Sequence, residues 1–347
     1  MVAAVLGKQL RVLRTSGNLN NEYGLPLCLL RAEAYHDIAV LEMGMSAAGE
    51  IAKLASIAEP NEGLITNVNP VHLEFFKSID GIAAAKAELL AGLVAGAGGD
   101  RRAYLNNDDS RVRRMSRRFD GEIVTYGVRA IAAFQARSVE VLGLDGTAFT
   151  VHHGRRDVNF VLPMAGAHNV SNAVAAISVG ATHGVDWQPM REAIEGMVGE
   201  KMRGAVVRFR EGFAVINDCY NSNPAAVEAA VAALDMSAPG RRVAFLGDML
   251  ELGPQGPELH RETGRKVAAR LDAVVGVGAL ARHFLEGARE AGLPATALLS
   301  FPDSPSAAAA ASGLVRPGDA VLVKGSRGVR MEQVVDALTA ALGQAEG

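Results

Sequence analysis

The stretch FAVINDCYNSNPAAVEAAVAAL at residues 213–234 decides the fold of the second half of the chain. It opens with an apolar run rich in β-branched residues, which is typical of a buried strand. Polar residues follow from Asp218, and Pro224 then suits the first turn of an Ala-rich helix. A strand, a polar turn and a helix in this order predict one unit of a parallel sheet covered by helices.

The same alternation continues toward the C-terminus. Strand patterns occur at RRVAFLGD (241–248), LDAVVGVG (271–278) and DAVLVKGS (319–326). Helical patterns occur between them, for example at PELHRETGRKVAARL (257–271) and SPSAAAAASGL (304–314). Because a chain of 347 residues suggests about two domains, we predict domains at 1–204 and 205–347, with a boundary near Gly204.

The first half alternates in the same way and carries one insertion. Its predicted strands are DIAVLEMG (37–44), GLITNV (63–68), RAYLNNDD (102–109) and EIVTYG (122–127). Predicted helices are GIAAAKAELLAGLVAGA (81–97) and AHNVSNAVAAISVGATHG (167–184). Residues 131–163 instead show period-2 stretches broken at LDGT and HGRR, which predicts antiparallel hairpins. The predicted fold class is therefore α/β, with a mostly parallel sheet and an antiparallel insertion.

The N-terminal residues show a helical period. Apolar residues recur at three- and four-residue steps over the first fourteen positions, at Val2, Val5, Leu6, Leu10 and Leu13. No Ser, Thr, Asp or Asn precedes them as a cap. The pattern predicts that the chain starts inside an amphipathic helix.

Composition excludes several classes of protein. Lys and Arg total 35 against 38 Asp and Glu, a net charge of −3, which gives no general attraction to nucleic acid or anionic membrane. The basic run at 111–118 is predicted to be a solvated helix face, since no aromatic residues interleave it. Two cysteines without CxxC spacing disfavour a disulfide scaffold or a zinc cluster and fit a reducing cytosol. No stretch approaches the ~20 apolar residues of a membrane span.

Polar side chains cluster where predicted strands end, which is where open parallel sheets bind ligands. One such residue alone is more often a helix cap or turn former. Five clusters together favour a ligand site: Glu42; Asn67, Asn69 and His72; Asp218, Tyr220, Asn221 and Asn223; Asp248 and Glu251; Lys324, Ser326 and Arg327.

Two nucleotide motifs are incomplete. Gly276, Gly278 and Ala281 match the G-x-G-x-x-A dinucleotide pattern, but no acidic residue ends a strand about 20 residues later, so we predict a tight turn there. Lys8 lacks the glycine and hydroxyl neighbours of a phosphate-loop lysine and is predicted to lie at the surface.

Taken together, eight segments resemble the Mur ligase family over essentially the whole chain, in order. They are TSGNLNNEYGLPL (15–27), LEMGMSAAGEI (41–51), TNVNPVHLEFF (66–76), AAAKAELL (83–90), GAHNVSNAVAA (166–176), NDCYNSNPAAVEAAV (217–231), LGDMLELG (246–253) and VLVKGSRGVRMEQVV (321–335). Three motifs, YNSNP, GDMLELG and VKGSR, point within the family to ligases that add D-Ala-D-Ala.

The resemblance implies an ATP-dependent amide ligase of peptidoglycan precursor synthesis, located in the cytoplasm and expected to be a monomer. It would activate the carboxylate of UDP-MurNAc-tripeptide as an acyl phosphate, which the amine of D-Ala-D-Ala then attacks. Residues 1–204 would be the central ATPase domain, and 205–347 a Rossmann-like domain for the incoming dipeptide.

Family members also carry a uridine-nucleotide domain, a first central strand and a Gly-Lys-Thr phosphate loop before the segment that begins here. We therefore expect little or no ligase activity from this chain as given. Alternatives are another Mur ligase, a folylpolyglutamate synthase-like ligase, or a non-catalytic protein that binds nucleotide and dipeptide. A nicotinamide oxidoreductase is disfavoured by the incomplete dinucleotide motif.

The resemblance also assigns roles to residues. Glu42 and His72 would bind Mg²⁺, together with Lys86 if that lysine is carbamylated; without the resemblance Lys86 would be interpreted as an ordinary helix-surface lysine. The nucleotide would be contacted by Asn169, Asn172 and Arg203, with His168 orienting the turn. The catalytic set would be Lys86, Asp218, Lys324 and Arg327. Substrate contacts would come from Asn18, Asn20, Asn21, Tyr220, Asn221 and Asn223.

Overall fold

Two units make up the chain. Unit 1 comprises Met1–Glu140, Ala148–Leu162 and His168–Met197, and unit 2 comprises Val141–Thr147, Pro163–Ala167 and Val198–Gly347. The computed structural model describes residues 1–70, 73–76, 78–96, 98–164, 166–197, 199, 202–237 and 240–345. Within those ranges, no helix combines the length and the apolar character needed to cross a bilayer.

Unit 1 contains strands and helices in alternation, followed by hairpins. Its strands are β1 (Val12–Arg14), β2 (Ile38–Val40), β3 (Glu62–Ile65), β4 (Arg102–Asn106), β5 (Glu122–Gly127), β6 (Phe134–Val141), β7 (Thr147–His153) and β8 (Arg156–Leu162). Its helices are α1 (Val2–Leu6), α2 (Gly24–Leu29), α3 (Glu50–Ala58), α4 (Leu73–Phe76), α5 (Ile79–Ala91), α6 (Ser110–Met115), α7 (Ala167–Thr182) and α8 (Trp187–Glu195).

The main sheet of unit 1 is parallel at one side and antiparallel at the other. Six strands lie in the order β3-β4-β5-β6-β7-β8, and β3 to β6 pair in parallel. Between β7 and β8, Thr150 bonds Asn159 at 2.8 Å and His152 bonds Asp157 at 2.7 Å. Because the residue numbers of the two pairs have the same sum, these strands run antiparallel. The predicted antiparallel insertion is confirmed.

The predicted N-terminal helix is only partly correct. Helix α1 ends at Leu6, and β1 begins at Val12 and pairs in parallel with β2 as a separate two-stranded sheet. Leu13 is buried, but as a strand residue opposite Ala39, so its helical spacing from Leu6 is a coincidence that tertiary pairing overrides. Lys8 lies at the surface as predicted and pairs with Glu192 at 3.3 Å.

Unit 2 is a parallel sheet with one antiparallel edge. Its strands are β9 (Ala205–Arg208), β10 (Ala214–Asp218), β11 (Arg242–Gly247), β12 (Ala273–Val277), β13 (Leu298–Phe301) and β14 (Ala320–Lys324). Its helices are α9 (Pro224–Ser237), α10 (Gly256–Val267), α11 (Arg282–Glu290), α12 (Ser304–Leu314) and α13 (Glu332–Leu342). The strand order is β13-β12-β11-β14-β10-β9, and only β9 runs antiparallel to its neighbour.

Both faces of the unit 2 sheet are buried. Along β11, Val243 and Phe245 join one apolar cluster while Ala244 and Leu246 join the cluster on the other face. A strand covered on both faces has no polar side to show, which is why its sequence is a continuous apolar run. Polar residues are consequently displaced to the loops at the strand ends.

The order of strands reverses between β11 and β14. The chain passes from β11 outward to β12 and β13 and then returns to place β14 beside β11. In open α/β sheets this switch point is where the loops after two adjacent strands diverge and leave a crevice. The loops that follow β11 and β14 are therefore the first place to look for a binding site.

Two glycines let α10 and α11 pack closely. A Cβ added at Gly264 would lie 2.1 Å from the Phe284 carbonyl oxygen, and one added at Gly287 would lie 1.9 Å from that of Arg261. Neither distance is compatible with any side chain, so the helices touch through their backbones at these positions.

We predict that Gly287→Ala forces α10 and α11 apart and lowers the free energy of unfolding by about 1–3 kcal/mol, the usual cost of overpacking. Gly313 in α12 is the matched control, because nothing lies within 4 Å of its added Cβ. Gly313→Ala should be neutral or stabilising by up to about 1 kcal/mol. Urea unfolding of both variants measures the difference, and equal effects would contradict the close packing.

Candidate functional site

A buried ion pair joins the ends of β10 and β14. Asp218 and Lys324 are partners in the register of the two strands, and Lys324 Nζ donates to Asp218 Oδ2 at 2.6 Å. The same Nζ donates to the Asn221 carbonyl oxygen at 2.8 Å. The lysine side chain is 2% exposed and the aspartate side chain 25% exposed. Two predicted catalytic residues are thus in direct contact, and the Asp218 side chain is partly exposed to solvent.

The loop after β11 is fixed by its own carboxylate. Asp248 Oδ1 accepts hydrogen bonds from the amides of Leu280 at 3.0 Å and Ala281 at 2.7 Å. Gly278 has φ of +111°, and a Cβ there would lie 2.6 Å from the Asp248 carboxyl group. A protein carboxylate therefore occupies the amides that a dinucleotide phosphate would use. This arrangement favours the tight-turn interpretation of the G-x-G-x-x-A match.

Two further contacts clamp the same loop. Ser326, after β14, accepts from the Leu250 amide through Oγ at 2.9 Å and donates its own amide to the Asp248 carbonyl at 3.1 Å. His260 of α10 accepts from the Met249 amide through Nε2 at 2.8 Å, and its Nδ1 lies 2.6 Å from the Gly256 carbonyl. This geometry requires the neutral tautomer with the proton on Nδ1. Burial lowers the pKa of His260, in agreement with that state.

His260 was not predicted from the sequence. It lies in an amphipathic helix pattern, twelve residues after Asp248, with no motif around it. Its side chain is fully buried, and its role appears only when α10 is folded against the loop after β11. The one sequence signal that could have indicated this role is the position of His260 on the apolar face of the helix pattern.

The other predicted residues of unit 2 have mixed surroundings. The Arg203 guanidinium stacks 3.9 Å from the centre of the Tyr220 ring. Arg327 donates to Glu332 at 2.6 Å and is 56% exposed. Asn223 is buried, and its Oδ1 accepts from the Ala226 amide at 3.0 Å. That contact caps the start of α9, which is the structural role that a strand-end Asn commonly has.

Asn221 is more available than Asn223. It is exposed, and its Oδ1 accepts from the Ser222 amide at 2.8 Å while its carbonyl holds Lys324. These two contacts use the Oδ1 and the backbone carbonyl oxygen of Asn221, and neither uses its side-chain NH₂ group. Ser222 is buried, and its hydroxyl is without a hydrogen-bond partner among the described residues.

In unit 1, the loop after β2 meets the predicted substrate segment. Asn20 donates to Glu42 Oε1 at 2.9 Å, and the Gly44 amide donates to the Asn20 carbonyl at 2.8 Å. Asn21 Oδ1 accepts from the Gly24 amide at 2.8 Å and so starts α2. Asn18 is exposed. The structure thus brings Asn20 to the proposed metal ligand Glu42 and gives Asn21 a capping contact.

Lys86 lies on α5 and is largely desolvated. Burial lowers the pKa of this lysine, and the negative charge of Asp109 opposes the shift. Asp109 caps α6 and also accepts from the Val68 amide at 2.7 Å, which ties down the loop after β3. His72, the second proposed metal ligand, lies outside the described residues.

The start of α7 carries the predicted nucleotide contacts. Asn169 is buried, Asn172 is half-buried and His168 is exposed. Asn169 and Asn172 are three residues apart and therefore share one face of the helix.

The described part of the chain holds no cluster of three His, Cys, Asp or Glu side chains able to bind a metal. The chemistry of Glu42 nevertheless suits Mg²⁺, which binds through one or two carboxylates and completes its shell with water and substrate phosphates. An unmodified Lys86 ammonium does not fit such a shell, whereas a carbamate does.

The fold defines an α/β protein of two units with mostly parallel sheets, whose polar residues cluster in the loops at the strand ends. Residues 1–180 match the model of the Mur ligase middle domain, and residues 202–327 match that of the Mur ligase, glutamate ligase domain. The chain belongs to the Mur ligase family.

Its relatives share a particular activity by name. The chain is 38% identical to the UDP-N-acetylmuramoyl-tripeptide–D-alanyl-D-alanine ligase of Synechocystis over 98% of this chain and 71% of that one. It is 30% identical to MurF from Acinetobacter baumannii, with a TM-score of 0.87 over 98% of this chain and 73% of that one. MurF ligase from Thermotoga maritima in complex with ADP gives 27% identity and a TM-score of 0.85, over 98% and 75% of the two chains.

We predict that His260 makes stability depend on pH. Its lowered pKa means that the unfolded chain takes up the proton first as pH falls, so its contribution to stability is present above the unfolded pKa of about 6.5 and is lost as pH falls below that value. His260→Gln keeps an acceptor for the Met249 amide and should flatten this slope. His260→Leu leaves that amide unpaired and should cost about 1–3 kcal/mol at every pH.

Urea unfolding at a series of pH values provides the measurement. His36→Gln, a half-buried histidine of unit 1 beside Tyr35, is the control and should keep the wild-type slope. A His260→Gln variant whose unfolding free energy falls with acid as steeply as that of the wild type would contradict the assignment.

Proposed function

We propose that this chain carries the ATP- and dipeptide-handling parts of a cytoplasmic ligase that adds D-Ala-D-Ala to UDP-MurNAc-tripeptide. The proposal assigns ATP to residues 1–204 and D-Ala-D-Ala to residues 205–347. The observation that carries it is the contact of the buried Lys324 with Asp218 at the ends of β14 and β10, in a chain whose relatives bear this ligase name. The complex of a relative with ADP supports the assignment of the nucleotide.

The proposed reaction has two steps. An oxygen of the tripeptide carboxylate attacks the γ-phosphorus of ATP, which releases ADP and leaves an acyl phosphate. The amine of D-Ala-D-Ala then attacks the acyl carbon, loses a proton, and phosphate departs as the amide forms. Both steps depend on positioning and on stabilising phosphate charge rather than on a covalent bond to the protein.

Lys324 and Arg327 suit the charges of this reaction. Lys324 is buried, and its Nζ donates to one carboxylate and one carbonyl oxygen. These two contacts fix the position of its positive charge relative to a bound substrate. Arg327 is more exposed and can reach an incoming phosphate or carboxylate by exchanging its contact with Glu332. Asp218 sets the position of Lys324, and Arg203 with Tyr220 forms a flat stacked surface suited to a ribose or base.

Carbamylated Lys86 is part of the proposal. The neutral amine is the form that attacks CO₂, and its lowered pKa increases the neutral fraction at a given pH. The product is a carbamate whose oxygens, with Glu42, would hold Mg²⁺, and Mg²⁺ would neutralise phosphate charge. Asn20 keeps Glu42 oriented through its hydrogen bond.

We expect the chain to bind D-Ala-D-Ala and ADP, with dipeptide affinity lowered about tenfold or more in Lys324→Met, since a charge-assisted contact contributes about 1.5–3 kcal/mol. Lys266→Met, an exposed ion-paired lysine of the same unit, is the control. Calorimetry with D-Ala-D-Ala, L-Ala-L-Ala and D-Glu measures specificity. Equal affinity for D-Glu would favour another ligase of the family over this proposal.

Phosphate release from ATP in the presence of UDP-MurNAc-tripeptide separates the ligase from a binding protein. D-Ala-D-Ala-dependent release above that of Lys324→Met identifies the ligase. Binding of both ligands without release identifies the non-catalytic alternative for this chain. Failure to bind either ligand contradicts both interpretations.

We predict a carbamate on Lys86. After equilibration with ¹³C-bicarbonate, the wild type should show a carbamate carbon signal by NMR, and the signal should be absent in Lys86→Arg. Lys53→Arg is the control, because Lys53 is exposed and paired with Glu22, which raises the pKa of that lysine. A signal that persists in Lys86→Arg, or that Lys53→Arg removes, places the carbamate elsewhere.

A further inference from the structure

One strongly charged surface lies outside the candidate site. It consists of four exposed arginines, Arg113, Arg114, Arg117 and Arg118, which we call the arginine face. They lie on α6 and on the 3₁₀ turn that continues it to residue 118. Their spacing of i, i+1, i+4 and i+5 brings them to one side of the helix, where like charges four residues apart repel each other. An anion that covers the face would relieve this repulsion.

The support of the arginine face is rigid. Val112, Met115 and Phe119 are buried in the core of unit 1, on the other side of the same segment. Asp109 caps the helix by accepting from the amides of Arg111 and Val112. The arginine backbones are therefore held in place while their side chains point to solvent.

Nearby carboxylates do not neutralise the face. Three of them are bound by other arginines: Asp80 by Arg111 at 2.9 Å, Asp120 by Arg101 at 2.6 Å and Glu122 by Arg102 at 2.7 Å. Asp108 and Asp109, which precede α6, accept hydrogen bonds from backbone amides. Within the ranges that the structure describes, none of the four arginines lies within 4.0 Å of a carboxylate oxygen. The guanidinium groups of Arg113 and Arg114 donate hydrogen bonds to the backbone carbonyls of Asn107 and Ser110, at 3.4 and 3.2 Å.

An exposed aliphatic side chain stands beside the face. Ile131 is 85% exposed at the tip of the turn between β5 and β6. Asp108 holds that turn by accepting from the amides of Val128, Arg129 and Ala130 at 2.6–2.9 Å. Asn107 connects the two features: its side chain donates to the Ile131 carbonyl at 2.5 Å, and its carbonyl accepts from Arg113.

We propose that the arginine face and Ile131 dock the protein on an anionic phospholipid surface. Guanidinium groups match phosphate oxygens, and a single apolar side chain beside them can enter the boundary between headgroups and acyl chains. The structure confirms the solvated helix face predicted from the sequence, and the proposal adds a partner for it. No aromatic residue stands among the arginines to stack bases, which a single-stranded nucleic acid site would use. The inference does not depend on the proposed ligase function.

Vesicle co-sedimentation tests the docking. The chain should bind vesicles of phosphatidylcholine mixed with phosphatidylglycerol and should not bind phosphatidylcholine alone. Raising salt from about 0.1 M to about 1 M shortens the screening length from about 10 Å to about 3 Å and should release it. Arg117→Glu/Arg118→Glu should weaken binding by about tenfold or more, since each basic residue near an anionic surface contributes about a factor of five.

Arg155→Glu/Arg156→Glu is the matched control. It makes the same change of net charge at two exposed residues, one in the turn before β8 and one at the start of that strand, and should leave vesicle binding unchanged. Ile131→Ser should weaken vesicle binding several-fold without altering binding to heparin, an anionic polymer that has no acyl chains. Leu30→Ser, at another site that is 81% exposed, should leave vesicle binding unchanged. Thermal unfolding verifies that each variant is folded.

Three results would overturn the proposal. One is equal binding to neutral vesicles. Another is equal loss in the Arg155→Glu/Arg156→Glu control, which would show a general charge effect. The third is that duplex DNA binds the chain more tightly than vesicles do at the same phosphate concentration and displaces it from them. If Ile131→Ser leaves this DNA binding unchanged, the partner is a nucleic acid.

Discussion

The contact between Lys324 and Asp218 is the constraint on which the site of unit 2 depends. A lysine ammonium that is 2% exposed can remain charged only if nearby groups replace its lost hydration. Asp218 supplies the opposite charge and the Asn221 carbonyl supplies a second acceptor, so the loop after β10 must fold back over the end of β14. Removing one partner of such a pair typically costs about 3–5 kcal/mol, which is why its geometry controls the surrounding loops. The incomplete burial of Asp218 leaves one side of the pair open to a ligand.

The strands of this unit could be predicted from the sequence because burial on both faces leaves few alternatives. Continuous apolar runs such as those of β11 and β14 are bounded by Gly, Asp and Lys, and the polar boundary residues become the loops of the site. The hairpins of unit 1 could be predicted for the opposite reason. One face of these strands is more buried than the other, so apolar and polar residues alternate along the sequence. The pair between Asp218 and Lys324 follows only from strand order, since 106 residues separate them. A sequence pattern places each of them at a strand end but cannot say which strands are neighbours.

Other features could not be predicted for identifiable reasons. The segment at Leu13 has helical spacing and yet forms β1, because it pairs with β2, a segment distant in sequence, and Leu13 is buried in that strand. Asn223 could be either a ligand contact or a helix cap by sequence, and the hydrogen bond to Ala226 gives it a capping contact. His260 has no sequence signal apart from its helix-core spacing, because it accepts one amide hydrogen bond from Met249, eleven residues earlier, in the loop after β11. Roles of this kind depend on how a helix is docked, which local propensity does not specify.

Overall charge and local charge lead to different conclusions for this chain. A net charge of −3 gives no general attraction to anions, and charges farther apart than the screening length of about 8–10 Å are largely screened from each other. Within that distance, the charges of the nearest groups that lack an ion-pair partner decide whether an anion is attracted or repelled. In unit 1, Asp80, Asp120 and Glu122 are each paired with an arginine outside the arginine face, so their charges cancel locally. A protein can therefore be acidic overall and still present a basic surface to a partner that comes into contact, provided that its acids are bound elsewhere.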